Sequence, residues 1–140
     1  EALTTSYAVN TIGPALLAKH LLPRLPRDHM SCFAALSARV GSITDNQLGG
    51  WYGYRASKAA LNMMLCNAAI EVGRKNKQAR VIGLHPGTVN TGLSKPYSSN
   101  VGHEIFSPEQ SARYLLDVIN SSTTDQSGHV IAWDGEVIDA

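Results

Sequence analysis

Cysteine is scarce: two residues, Cys32 and Cys66, in 140, with no C-x-x-C spacing. That excludes a disulfide framework or a thiolate metal cluster, and it leads us to expect two small buried hydrophobes in a reducing, cytoplasmic compartment. Charge of either sign is not in excess, with 12 basic and 11 acidic residues and a net charge of +1. No basic stripe or charge block is present, so neither nucleic acid nor a membrane surface is expected as a partner. Long hydrophobic runs are missing, which excludes a membrane-spanning helix from this stretch. The five histidines are scattered, none in H-E-x-x-H spacing, and no metal is expected. A glycine-rich strand-to-helix turn of the G-x-G-x-x-G kind is missing as well.

What is present is a regular alternation of helical and strand patterns. Apolar residues recur at Val9, Ile12, Leu16, Leu17 and Leu21, a helical period. Thr4, Thr5 and Ser6 before them are candidate caps, and Pro23 and Pro26 end the element. Pro14 inside it cannot donate to the carbonyl of Asn10, so a kink there leaves that carbonyl to hold a water or a side chain. Residues 30–37 and 79–84 are short apolar runs without alternation, expected as strands buried on both faces of a parallel sheet. A third strand is expected at 129–133, closed by Asp134-Gly135.

Between the first two strands, residues 52–72 form a helix that is apolar on nearly every side. Such a helix is expected to be buried all round, by a neighbouring helix or a second subunit. Residues 93–106 are polar and without period, expected as a loop over a site. Ser107-Pro108-Glu109-Gln110 then starts a helix with a capping box. Strands separated by helices imply right-handed parallel crossovers, hence a three-layer α/β sheet in one domain, residues 1–140.

Open parallel sheets bind ligands at the carboxyl ends of their strands. Tyr54 and Lys58 lie four apart at the start of the long helix, on that rim. The spacing puts phenol and ammonium on one helical face. A neighbouring cation favours the phenolate and prepares the tyrosine for proton exchange near neutral pH.

The segments Val9-Asn10-Thr11-Ile12-Gly13-Pro14, Tyr54-Arg55-Ala56-Ser57-Lys58-Ala59-Ala60-Leu61-Asn62, Pro86-Gly87-Thr88-Val89-Asn90-Thr91 and Ser127-Gly128 with Asp134-Gly135 together resemble the C-terminal portion of a short-chain dehydrogenase/reductase, in the branch of the C-factor and sniffer-like carbonyl reductases. The resemblance implies the C-terminal half of a Rossmann-type doubly wound parallel sheet, with three parallel strands and flanking helices. It implies an NAD(P)(H)-dependent oxidoreductase, with NADP preferred over NAD as cofactor, that transfers hydride between the nicotinamide and a small-molecule carbonyl or alcohol. Tyr54 would be the acid/base, Lys58 would tune it and hold the nicotinamide ribose, and Asn10 would hold a water in a proton relay to Lys58. Pro86, Gly87, Thr88, Val89 and Thr91 would contact the nicotinamide end. A homo-oligomer, dimer or tetramer, is implied as partner.

Two departures temper the match. The serine that the family places three residues before the strand-end glycine is here Ala38, with Ser37 and Ser42 as neighbours. The strands and glycine-rich turn that hold the rest of the dinucleotide are not in this chain. The expectation is therefore a fragment of a larger enzyme, whose first strand becomes an exposed hydrophobic edge. The alternative is a weak or inactive interaction or regulatory protein of the same fold, dimerising through its two long helices.

Overall fold

The computed structural model describes residues 2–90, 92 and 105–140. The chain begins in one continuous helical run built of α1 (Ala2–Tyr7), a π-helical turn (Ala8–Ile12) and α2 (Gly13–Leu21). The π turn is how the backbone accommodates Pro14. The amide of Gly13 bonds the Ala8 carbonyl five residues back, so the helix widens by one residue where the proline offers no donor. Thr4, Thr5 and Ser6 lie within α1 rather than capping it. Leu3 reaches Gly53, with its Cδ1 3.1 Å from where a Cβ on Gly53 would stand, so a tertiary contact holds the first turn in place.

After a short 3₁₀ turn, β1 (Ser31–Leu36) enters the sheet, and a second 3₁₀ turn (Arg39–Gly41) carries the chain over to α3 (Tyr52–Lys75). β2 (Ala79–His85) and β3 (Thr88–Val89) follow, then β4 (Ile105–Phe106), α4 (Pro108–Ser121), β5 (Val130–Ala132) and β6 (Val137–Ile138). The expected capping box forms: Ser107 Oγ accepts from the Gln110 amide and Gln110 Oε1 accepts from the Ser107 amide.

The main sheet has the order β1-β2-β5-β6. β1, β2 and β5 are parallel, as expected. Residues 129–133 were expected to be the last strand, but Asp134-Gly135 is a hairpin turn and β6 returns antiparallel beside β5. Gly135, at φ 89°, supplies the left-handed residue the turn requires. A separate parallel pair joins β3 to β4, so residues 105 and 106, expected as loop, form a strand. The remainder of the expected loop over the site, residues 93–104, lies outside the described residues.

Two hydrophobic clusters sandwich the sheet. Ala35, Leu61, Leu65, Ala69 and Val81 fill the space under α3. Ile82, Leu84, Val118 and Ile131 pack under α4 on the opposite face. β2 is buried almost throughout. β1 is not: it forms the edge of the sheet, most of its residues are half-buried, and Leu36 is 59% exposed. α3 is likewise not buried all round, since Met63 and Ile70 stand more than half exposed while the face carrying Leu61 and Leu65 is sealed. No helix among the described residues is long and apolar enough to cross a membrane.

Candidate active site

The carboxyl ends of β1 and β2 open onto the first turns of α3. Close approach is set at Gly41. A Cβ there would lie 2.8 Å from Lys58 Cβ and 2.9 Å from the Lys58 carbonyl carbon, so only glycine lets the turn after β1 rest on the helix backbone.

Lys58 is buried beneath this turn at 8% exposure, and its Nζ donates to the Leu36 carbonyl at 2.8 Å. Burial lowers its pKa from the usual lysine value. Its ammonium lies 5.9 Å from the centroid of the Tyr54 ring. Tyr54 itself is 37% exposed, at the mouth of the site. The expected juxtaposition of phenol and ammonium is therefore present, and the lysine has no acidic partner among the described residues to neutralise its effect on the phenol.

Asn10 is brought to the same helix. Its Nδ2 donates to Ser57 Oγ at 3.0 Å, and the Ser57 hydroxyl donates to the Tyr54 carbonyl at 2.9 Å. Thr11 Oγ1 donates to the Ser57 carbonyl at 2.8 Å. Ser57 is fully buried and ties the π turn to α3. Thr11 and Ser57 stand in the matching segments of the sequence, but nothing there gives them a role; Ser57 sits three residues past Tyr54, where it meets the first helix. With Pro14 unable to donate, the Asn10 carbonyl lacks its ordinary helical partner.

Pro86, Gly87, Thr88 and Val89 lead from the end of β2 into β3, on the same rim. Gly87 turns at φ 72°, and a Cβ there would stand 2.8 Å from Phe106 and 3.0 Å from Trp133. Phe106 meets both Trp133 and Tyr114 edge-to-face, Tyr114 and Trp133 are tilted to each other, and the cluster packs the turn from behind. Ser111 Oγ holds the Pro86 carbonyl at 3.0 Å. Thr91 lies outside the described residues.

The serines near Ala38 are both engaged. Ser37 is buried and donates to Asn62 Oδ1 at 2.5 Å, toward the body of α3. Ser42 accepts from the Asp45 amide at 3.0 Å and pairs with Thr44 Oγ1 at 3.3 Å. Thr44 in turn donates to the Ala140 carbonyl at 2.6 Å. Arg39 adds ion pairs to Asp45 and Glu136, so the hairpin of β5 and β6 is fastened to the turn after β1. Beneath this fastening His85 ends β2, its Nδ1 buried without a partner among the described residues. Burial first, and then Arg39, lower its pKa from 6.5 to about 4, against the opposing pull of Asp134, Asp45 and Glu136.

A family model described as short chain dehydrogenase matches residues 1–102. A 1-hydroxy-2-glutathionyl-2-methyl-3-butene dehydrogenase of Rhodococcus sp. (strain AD45) is 35% identical over 135 residues, 96% of this chain and 57% of that protein. The carbonyl reductase Sniffer of D. melanogaster has the same fold with a TM-score of 0.85 at 26% identity, over 99% of this chain and 57% of that one. An NADPH-bound carbonyl reductase from chicken fatty liver follows with a TM-score of 0.81 at 27% identity, over 99% of this chain and 57% of that one. The chain spans 57% of the length of each of these relatives. The family model covers most of the chain, and the chain belongs to the short chain dehydrogenase family.

Proposed function

We propose that this chain is the C-terminal, catalytic part of an NAD(P)(H)-dependent oxidoreductase that interconverts a small carbonyl compound and its alcohol. The observation that carries the reading is the buried Lys58 ammonium held 5.9 Å from the Tyr54 ring with no acidic partner among the described residues. A cation so placed favours the phenolate and lets Tyr54 give up a proton to a carbonyl oxygen or take one from an alcohol. In the reducing direction one hydride and one proton add across the carbonyl, giving the alcohol and the oxidised cofactor. The nicotinamide cofactor, when bound, supplies the hydride.

The donor set suits the nicotinamide end of such a cofactor: a phenol, a buried ammonium and the backbone of the Pro86, Gly87, Thr88 and Val89 turn share one rim. Lys58 would hold the ribose and the turn the nicotinamide, with Thr91 as a further contact. Asn10, whose carbonyl Pro14 cannot serve as donor four residues on, would hold a water in a proton relay to Lys58. NADPH is preferred to NADH, in line with the cofactor bound to the chicken enzyme.

The uncovered β1 edge supports the view that further strands complete the sheet, because an apolar parallel edge is an aggregation liability when left bare. The exposed Val9, Leu16, Leu17, Met63 and Ile70 favour a homodimer or tetramer joined through the two long helices. A cytoplasmic location suits the two free cysteines. The test is NADPH oxidation by the full-length protein with a panel of aldehydes and ketones. Turnover in wild type and its loss in Lys58→Met, with the fold intact, is the expected result. Undiminished turnover in Lys58→Met removes the lysine from the mechanism.

A further inference from the structure

β1 ends at Leu36, and the peptide that follows is held from three sides. The Ser37 amide continues the ladder, donating to the Leu84 carbonyl of β2 at 2.8 Å. The Leu36 carbonyl accepts from Lys58 Nζ at 2.8 Å. The Ser37 hydroxyl donates to Asn62 Oδ1 at 2.5 Å. Lys58 and Asn62 are four residues apart on α3, so two side chains one helical turn apart grip two successive residues of the strand end. The lysine belongs to the proposed reaction. The asparagine and its serine stand outside it.

The chain makes room for this grip. A Cβ on Gly83 would lie 3.3 Å from Leu65 Cδ1 and 3.4 Å from Ser37 Cβ, so Ser37 stands over a glycine on the α3 side of the sheet. A Cβ on Gly41 would meet Lys58 Cβ at 2.8 Å and Asn62 Nδ2 at 3.0 Å, so one glycine lets the turn rest against both side chains. Ser37 is buried, and a buried hydroxyl is costly unless it is bonded. An apolar pair would fill the space without that demand. What the polar pair adds is a fixed position for the peptide.

That peptide tethers the ammonium. Lys58 ends in a point charge on a flexible stem, and its Nζ stands 5.9 Å from the Tyr54 ring centroid. The pull of a cation on a phenol falls with distance, so the place of the Leu36 carbonyl sets how strongly the phenolate is favoured. The other charged groups packed here are otherwise engaged. Arg55 donates to the Gly49 and Val40 carbonyls, and Arg39 pairs with Asp45 and Glu136. His85, with its pKa at about 4, is uncharged where a phenol titrates.

We propose that Ser37 and Asn62 are positioning residues for Lys58: their hydrogen bond holds the strand end on α3, so that the Leu36 carbonyl keeps the ammonium beside Tyr54. This rests on the oxidoreductase reading above.

The test reads the Tyr54 phenol directly, by near-ultraviolet absorbance titration of the full-length, cofactor-free protein, with the titration of the matching Tyr54→Phe protein subtracted. Ser37→Ala combined with Asn62→Leu removes both partners together, so neither is left buried without a bond. The phenol should then titrate about one pH unit above wild type, the low end of what a nearby charge is worth. The pH above which kcat/KM for NADPH-dependent carbonyl reduction falls should rise by the same amount. Ser37→Thr keeps the hydroxyl and should titrate as wild type does. An unchanged or lowered titration in the double variant overturns the proposal. Should that variant fail to fold, Ser37→Ala against Ser37→Thr decides: a higher titration with Ala alone supports the positioning role, and equal titrations refute it. Lys58→Met separates this proposal from the reading beneath it. A phenol that titrates as in wild type without the lysine defeats the tyrosine–lysine reading and this proposal with it.

Discussion

Gly41→Ala isolates the contact that seats the turn after β1 on α3. The new Cβ would meet the Lys58 carbonyl carbon at 2.9 Å and Lys58 Cβ at 2.8 Å, about 0.6 Å short of ordinary contact, which begins at 3.4 Å. The obstructing atoms belong to helix backbone and the root of a buried side chain, so neither moves without shifting α3. Overpacking of this kind costs about 1–3 kcal/mol. Gly41 is not among the left-handed glycines, so alanine suits its backbone and the unfolded state loses entropy, offsetting about 0.4–1 kcal/mol. The clash wins, and a net destabilisation of about 1–2 kcal/mol should appear as a lower urea midpoint at unchanged m-value. The same displacement pulls Lys58 Nζ from the Leu36 carbonyl, now 2.8 Å away, so kcat should fall by about tenfold or more. A Gly41→Ala protein as stable and as active as wild type would show that the turn does not seat the helix.

Other expectations concern His85 and Ala38. His85 has its pKa lowered from 6.5 to about 4, so between those values the unfolded chain binds more protons than the folded one and stability drops as pH falls. Wild type should lose about 3 kcal/mol on going from pH 6.5 to pH 4 relative to His85→Leu, measured by denaturant unfolding at each pH; parallel pH profiles would remove His85 as the cause. Ala38→Ser places a hydroxyl where Ser37 and Ser42, both committed to other partners, do not supply one. It should raise kcat by about tenfold or more, given that one such donor is worth about 10²–10³ elsewhere; an unchanged kcat means another donor already serves the oxyanion.

The parts of the site that were legible in the sequence are those carried by short, rigid spacings. Tyr54 and Lys58 are one turn apart on one helix, so their proximity needs no tertiary knowledge. Pro86 and Gly87 announce a turn wherever they occur at a strand end. Pro14 signalled a disturbed helix, but the answer to it, a π turn bonding Gly13 to Ala8, depends on how the first helix packs against Ser57. The apolar composition of α3 pointed to burial on all sides, whereas the face carrying Leu61 and Leu65 is sealed and Met63 and Ile70 stand more than half exposed. β6 was missed because it is two residues long, although the Asp134-Gly135 turn before it is a strong hairpin signal. The bonds from the Arg55 side chain to the carbonyls of Val40 and Gly49 were invisible because backbone acceptors at positions 40 and 49 leave no residue pattern.

The central claim, that Tyr54 transfers the proton accompanying hydride transfer, is tested most directly with NADPH deuterated on the nicotinamide ring. With the full-length wild-type protein, deuterium should appear on the carbinol carbon of the product alcohol, and Tyr54→Phe should form no labelled alcohol while still binding NADPH. Labelled alcohol formed at the wild-type rate by Tyr54→Phe would contradict the account.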